Sequence, residues 1–340
     1  MTMQTIRQTL REKAARLPRR CAGASSAREG TGLAALYRKE LSDHLNSKRF
    51  LLIFALLLVV TTASLGGAVT TLFGGSTEST EFLFLRLFTT GSSSIYSFAT
   101  FLAFLGPLAG ITLGFDAVNT ERSQGTLIRL AAQPIYRDAI LNAKFLAGAT
   151  VIGLIVAALG LYFCGAAMLL TGLVPGGEEI LRVIAFLLLS AVYICVWLAL
   201  AVIFSVVCRH AATAALACIS IWLFLSLFMS LVASGIANAV YPLSGMEGIL
   251  NMVDNYELEL AVNRISPYYL YSEAATTILN PSVRSIGVVT MSAASGAVAS
   301  SLPFAQSLLL VWPHLVVMAA LVLAGFAAAY IRFMRQEIRA

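Results

Sequence analysis

Residues 183–234 decide the fold: they read VIAFLLLSAVYICVWLALAVIFSVV (183–207), CRH (208–210) and AATAALACISIWLFLSLFMSLVAS (211–234). Each apolar run exceeds the roughly 20 residues that a helix needs to cross the hydrocarbon core of a bilayer. A single buried segment of a soluble protein would not run for about 50 residues. The short break at 208–210 therefore predicts a tight hairpin with its tip at the lipid headgroups.

Four further runs of the same kind occur along the chain. The sequence predicts six membrane spans, at about 50–72, 95–115, 145–171, 183–207, 211–234 and 307–331. Composition agrees, since 59% of the residues are hydrophobic and 12% are charged, whereas a soluble domain carries about 25% charged residues. These values exclude a soluble domain, a disordered chain and a disulfide scaffold. The predicted fold class is an all-α integral membrane protein.

The distribution of basic residues predicts the orientation. Segments 1–49, 116–144, 208–212 and 332–340 carry 19 of the 23 Lys and Arg residues, and the alternate segments carry 4. Basic residues concentrate on the cytoplasmic side, so both termini are predicted to be cytoplasmic, in a multi-pass protein of the plasma or inner membrane. The net charge of +6 then reflects attraction to an anionic inner leaflet, and no nucleic-acid partner is needed to explain it.

Three regions are predicted along the chain. Residues 1–32 form a basic, disordered cytoplasmic arm, for which a mitochondrial transit peptide is the alternative. Residues 33–48 form an amphipathic helix in the inner interface, because apolar side chains recur at helical spacing: Leu33, Leu36, Tyr37, Leu41 and Leu45. Residues 49–340 form the six-span domain. Its long external loop, 235–306, contains one helix over 246–262 and a second from Ser266-Pro267 to Asn280-Pro281.

Several kinds of chemistry are missing from the sequence. It has no G-x-x-x-x-G-K-[ST] phosphate loop, no H-E-x-x-H and no G-x-S-x-G. The predicted spans contain no Asp, Glu, Lys or Arg, although ion-coupled carriers usually place such groups at membrane depth. His314 in the sixth span is either a proton relay or a polar group at the interface. A power source outside this chain is therefore expected.

A stripe of small residues runs along the second span. Gly106, Gly110 and Gly114 recur at four-residue spacing beside Pro107. Such a stripe allows two helices to approach closely. Its partner is either a second protomer or a neighbouring span.

The loop between spans two and three, residues 116–144, has the most informative pattern. A short helix is expected to begin near Asn119 or Thr120, with Glu121 in its first turn, where the helix dipole favours a carboxylate. Leu127 and Leu130 form an apolar face, and Pro134 ends the helix. An apolar-faced knob with a charged rim suits a groove on a soluble partner, while a solvated helical loop is the alternative.

This loop resembles the first cytoplasmic loop of ABC-2 type transporter permeases, of the type associated with copper-enzyme maturation. The positions that carry the resemblance are Glu121-Arg122, Gly125-Thr126-Leu127, Leu130, Pro134, Arg137 and Lys144. Six spans with both ends inside and an interfacial helix before the first span also match, over about residues 33–333. Tyr136 departs from the pattern, because the family often has a Ser or Thr there that can cap the next helix.

The resemblance implies the permease subunit of an ABC exporter, not an enzyme, that binds no cofactor or metal itself. A separate ABC ATPase subunit would hold ATP and Mg, and two permease copies, identical or different, would form the pathway in the bilayer. The implied ATPase-docking residues are Glu121, Arg122, Gly125, Thr126, Leu127, Leu130, Pro134 and Arg137, with Arg209 in the hairpin tip as a second contact. A membrane-embedded enzyme and a non-transporting scaffold that docks a cytoplasmic partner are the alternatives.

Overall fold

The computed structural model describes residues 29–74, 82–125, 136–244, 247–283 and 301–335. These ranges are helical and contain no strand. The helices are α1 Glu29–Leu45, α2 Lys48–Gly74, α3 Leu83–Thr89, α4 Phe98–Gly114, α5 Asn119–Ser123, α6 Arg137–Thr171, α7 Gly177–Val207, α8 Ala211–Val240, α9 Glu247–Asn263, α10 Pro267–Leu279 and α11 Phe304–Arg335. A π-helical turn, Phe224–Phe228, lies within α8.

Six of the helices in the described ranges are long and apolar enough to cross a membrane, which confirms the predicted number. They are α2, α4 together with α5, α6, α7, α8 and α11. Several helices extend beyond the predicted spans: α6 begins at Arg137, before the span predicted from 145, and α7 begins at Gly177, before the span predicted from 183. Lys144 and Arg182 therefore lie on membrane-length helices, although the predicted spans contained no charged residue.

Helix α7 occupies the centre of the bundle and packs against α4, α6, α8, α10 and α11. A cluster of phenylalanine rings joins it to its neighbours: Phe186 of α7 lies 6.1 Å from both Phe88 and Phe98, measured between ring centroids. Phe163 of α6 lies 4.4 Å from Phe88 in the same cluster. Phe88 belongs to α3, a seven-residue helix that buries most of its side chains. The sequence pattern predicts no element there, because a helix of two turns gives too little periodicity to recognise.

Both helices predicted for the segment 235–306 are present, as α9 and α10. The second is a part of the bundle and not only a covering of its outer surface. Tyr271 of α10 stacks on Tyr193 of α7 with ring centroids 4.3 Å apart, and its hydroxyl lies 2.8 Å from the Ser190 hydroxyl. The Tyr193 hydroxyl donates a hydrogen bond to the Ala103 carbonyl at 2.8 Å. The core thus includes a helix that the sequence places in a loop.

Charged side chains link α7, α10 and α11 at their predicted external ends. Arg182 is fully buried and pairs with Glu178 at 2.8 Å. It also donates hydrogen bonds to the Ile278 carbonyl at 2.9 Å and to the Ser307 hydroxyl at 3.1 Å. One guanidinium therefore ties α7 to both α10 and α11. A buried charge of this kind is tolerated only because its donors are satisfied.

His314 has a similar structural setting. It is buried, and its Nε2 lies 2.7 Å from the Glu273 carboxylate, which also pairs with Arg264 at 2.8 Å. Burial alone would raise the pKa of Glu273, but the hydrogen bonds from His314 and Arg264 outweigh burial and lower it. His314 therefore joins α11 to α10, and both sequence interpretations, a proton relay and a polar group at the interface, stay predictions.

Candidate docking site

The predicted docking segment begins where α4 leaves the bundle, and α7 holds it there. The Ser205 hydroxyl on α7 accepts hydrogen bonds from the backbone N–H groups of Val118 and Asn119, at 2.9 and 3.3 Å. These are orphan donors at the start of α5, which has no side-chain cap of its own. The cap thus comes from a residue 87 positions away, a distance at which sequence pattern gives no signal.

The short helix begins at Asn119, as expected, but it ends at Ser123 and does not continue to Pro134. Gly125 has a φ of +68°, a left-handed conformation that glycine adopts without strain and that commonly terminates helices. Thr126, Leu127, Leu130 and Pro134 lie outside the described residues. Their part in the predicted site stays a prediction.

Glu121 points into the protein and Arg122 points outward. The Glu121 carboxylate is buried and lies 2.8 Å from the Lys144 ammonium, whose side chain is 6% exposed. Lys144 also pairs with Glu40 of α1 at 3.0 Å. One lysine of α6 therefore joins α5 and α1 through two carboxylates.

Burial alone would raise the pKa of Glu40, but the Lys144 ammonium outweighs it and holds that pKa below its ordinary value of 4.5. Lys39, which is 54% exposed, adds a weaker contact to Glu40 at 3.2 Å. The cluster thus sets two ammonium groups, of Lys39 and Lys144, against two carboxylates, of Glu40 and Glu121. Sequence reasoning did not single out Glu40; its position four residues after Leu36, on the buried face of α1, was the available signal.

Helix α1 packs along the first turns of α6. Leu36 contacts Ile140 and Ala143, and the Tyr37 hydroxyl donates a hydrogen bond to Thr150 at 3.0 Å. The helix covers Glu29–Leu45 where 33–48 was predicted, because Ser47 starts the next helix by accepting a hydrogen bond from the Phe50 N–H at 3.1 Å. Its position in the lipid interface stays a prediction.

Two further predicted residues are described. Arg137 is half-buried and is the first residue of α6. Tyr136 precedes it and makes no side-chain cap, as its chemistry suggested. Arg209 is exposed in the turn between α7 and α8, four residues after Ser205. Because Ser205 contacts the start of α5, that turn lies at the same face of the bundle as Glu121.

The glycine stripe of α4 lies against α7. A Cβ at Gly106 would be 3.0 Å from the Ile194 side chain, one at Gly110 would be 2.6 Å from the Ile194 carbonyl oxygen, and one at Gly114 would be 2.8 Å from the Ala201 Cβ. Of the two partners left open by the sequence, the structure supplies a neighbouring span. The helices that flank the candidate site, α4 and α7, are therefore in backbone contact.

Comparison with known proteins identifies the class. Residues 34–338 match the family described as ABC-2 family transporter protein, so the chain belongs to the ABC-2 family and is a multi-pass membrane protein. The resemblance predicted from the loop is thereby confirmed.

Two curated relatives are more specific. The chain is 32% identical over 204 residues to the probable ABC transporter permease protein NosY of Pseudomonas aeruginosa, and this alignment covers 57% of the chain and 66% of the relative. It is 33% identical over 202 residues to the protein of the same name from Stutzerimonas stutzeri, over 57% of the chain and 67% of the relative. The chain thus spans just under two thirds of the Pseudomonas relative's length.

Proposed function

We propose that this chain is the permease subunit of an ABC exporter, driven by ATP hydrolysis on a separate subunit. The family match and the permease names of its relatives support this function. The observation that carries it is the fastening of α5, which joins α4 directly, α7 through Ser205 and α6 through Lys144. A segment held in this way can pass a displacement to three membrane helices.

The proposed mechanism follows from which side chains are exposed. An ATPase subunit contacts the outward side of α5 and the turn after it, at Arg122 and Gly125. We expect it to contact the Leu127–Leu130 stretch as well. When the ATPase subunit binds ATP, its movement displaces α5. The Glu121–Lys144 pair then passes the displacement to α6. ATP and Mg are held by the ATPase subunit, and a second permease copy completes the pathway in the plasma or inner membrane.

The docking step can be tested by capture of an ABC ATPase on the tagged full-length chain. Replacing both Leu127 and Leu130 with Asp puts carboxylates into an apolar contact, where an unpaired charge costs several kcal/mol. Association should weaken about 100-fold, since each 1.4 kcal/mol is tenfold. Arg332→Glu on α11 is the control, because it changes the charge of an exposed arginine on another helix. Unchanged association in the Leu127/Leu130 variant would end the docking proposal.

The transmission step requires a different variant. Glu121→Gln leaves the exposed surface unaltered, since Glu121 is buried, but it removes the charge that holds Lys144 to α5. The ATPase subunit should still bind, while ATP hydrolysis by the reconstituted complex should lose most of its dependence on the permease. The purified chain alone should hydrolyse no ATP. A scaffold that moves no cargo would show the same hydrolysis with and without this substitution.

A further inference from the structure

A cavity of about 900 Å³ opens beside the charge cluster, between α1, the start of α2, the end of α4, α5 and α6. Charged and apolar residues both line it. The charged ones come from α1, the start of α2, the turn after α4, α5 and the first turns of α6: Lys39, Glu40, Asp43, Lys48, Arg49, Asp116, Glu121 and Lys144. The apolar ones include Phe50, Ile53, Leu113 and Ile155. The cavity lining is therefore amphipathic.

The length of the cavity corresponds to one leaflet of a bilayer. Lys144 and Ile155 of α6 both line it, and at 1.5 Å per residue they are about 16 Å apart along the helix. Half of the hydrocarbon core of a bilayer is about 15 Å thick. Lys48, which also lines the cavity, is the first residue of α2, and a charged residue at the start of a span is expected at the level of the headgroups. An acyl chain fits the apolar part and a headgroup fits the charged part.

The charges of the rim select a class of headgroup. Four of the lining side chains are cationic and four are carboxylates. Lys144 is paired with Glu40 and Glu121, and Arg49 with Asp116. Within the described ranges Lys48 is in no ion pair. There, the ion pair of Asp43 is with the exposed Lys39, at 3.5 Å. A purely anionic headgroup would match Lys48 but not Asp43, whereas a headgroup with a phosphate and a primary ammonium matches both.

We propose that this cavity holds one resident phospholipid with an ethanolamine headgroup. Lys48 faces its phosphate, Asp43 accepts hydrogen bonds from its ammonium, and an acyl chain lies against Ile53 and Ile155. The bound lipid fills the space between α1 and the spans and so fixes the position of α1. This proposal does not depend on the proposed function, because it concerns retention of a lipid and not transport.

The headgroup can be tested by native mass spectrometry of the delipidated full-length chain, titrated with phosphatidylethanolamine, phosphatidylglycerol and phosphatidylcholine of identical acyl composition. One phosphatidylethanolamine per chain should bind at least about 5-fold more tightly than either competitor, since charge-assisted N–H···O⁻ bonds are roughly twice as strong as neutral ones. Choline has no N–H donor and glycerol has no cation. Equal or tighter binding of phosphatidylglycerol or phosphatidylcholine would overturn the proposal.

Matched variants test whether the lipid binds in this cavity. Ile53→Trp fills the apolar part and should weaken phosphatidylethanolamine binding at least about 10-fold, whereas Leu52→Trp, at a residue 68% exposed on the same helix, should leave it unchanged. Lys48→Gln should weaken binding about 5-fold, with Arg332→Gln as its control. Because Lys48 is exposed, we expect Lys48→Gln to fold even if Ile53→Trp does not. Lys48→Gln then tests the location of the bound lipid by itself. Unchanged binding in the folded cavity variants would overturn the proposal.

Discussion

Single residues carry the contacts between distant segments, and Lys144 is the clearest case. The span boundaries place Glu121 and Lys144 in one loop, 116–144, but the sequence does not predict that they pair or that Glu40 joins them. Glu40 and Lys144 are 104 positions apart, and helical periodicity fixes only the face on which each residue lies. Arg182 and Ser205 were missed for the same reason, because their partners are brought together only by the packing of the spans.

Removal of Lys144 should be strongly destabilising. Lys144→Met leaves the buried carboxylates of Glu40 and Glu121 without their shared cation, and breaking a buried pair costs about 3 kcal/mol or more. Thermal unfolding of the purified chain in detergent should show a clear loss of stability. Lys39→Met is the matched control, because Lys39 is 54% exposed and an exposed pair is worth about 0–1 kcal/mol. Equal stability losses in the two variants would contradict the assigned role of Lys144.

The lowered pKa of Glu40 predicts a pH dependence. A carboxyl group whose pKa is lower in the folded chain than in the unfolded chain contributes stability above its unfolded pKa. That contribution should be lost as the pH falls below about 4.5, the ordinary value, and through the lowered one. Denaturation measured between pH 6 and 3 should therefore show a shallower acid decline in Glu40→Gln than in the parent chain. Parallel pH profiles would show that Glu40 titrates normally.

At the scale of whole elements, apolar runs predicted the six spans well and their ends poorly. Hydropathy treats a charged residue as the end of a span, but Arg182 lies one turn inside α7 because Glu178, Ser307 and two carbonyls satisfy its guanidinium. Helix α6 also carries a charged residue, Lys144, next to its predicted span, and two carboxylates pair with that residue. Such compensation depends on other helices and is absent from the local pattern.

The packing of α4 on α7 yields a prediction at this scale. An alanine Cβ at Gly110 would lie 2.6 Å from the Ile194 carbonyl oxygen, so the two backbones must move apart. Gly110→Ala should cost about 1–3 kcal/mol of stability, typical of overpacking. Gly153→Ala is the control, because its Cβ meets nothing within 4 Å and alanine is the better helix former by up to about 1 kcal/mol. Similar thermal unfolding of both variants would contradict the close contact.

Over the whole molecule, the contacts place the segments that connect the spans at two opposite faces. These two groups are the same as those given by the count of basic residues. Glu40, Glu121 and Lys144 join the segment before α2 to the loop after α4, and Ser205 brings the α7–α8 turn to the same face. Arg182 gathers α7, α10 and the start of α11 at the opposite ends of the spans. The alternation of faces expected for six crossings is therefore present in the packing, while the side that is cytoplasmic rests on the 19-to-4 bias in Lys and Arg.

That orientation can be tested by cysteine labelling of the chain in whole cells. The five native cysteines are first replaced, and single cysteines are then introduced at Leu250 and at Gln124. Leu250 lies on α9 and is 79% exposed. Gln124 is exposed at the end of α5, and it is preferable to Gly125, whose φ of +68° would strain a cysteine.

An impermeant maleimide should label Leu250→Cys in intact cells and should label Gln124→Cys only after the membrane is opened. The reason is that the segment bearing Leu250 carries few basic residues, whereas the loop bearing Gln124 is one of the basic segments held inside. A membrane-permeant maleimide applied to both variants shows that each thiol is reactive. Labelling of both positions from the same side would contradict the six-span orientation, and labelling in the reverse order would place α5 out of reach of a cytoplasmic ATPase.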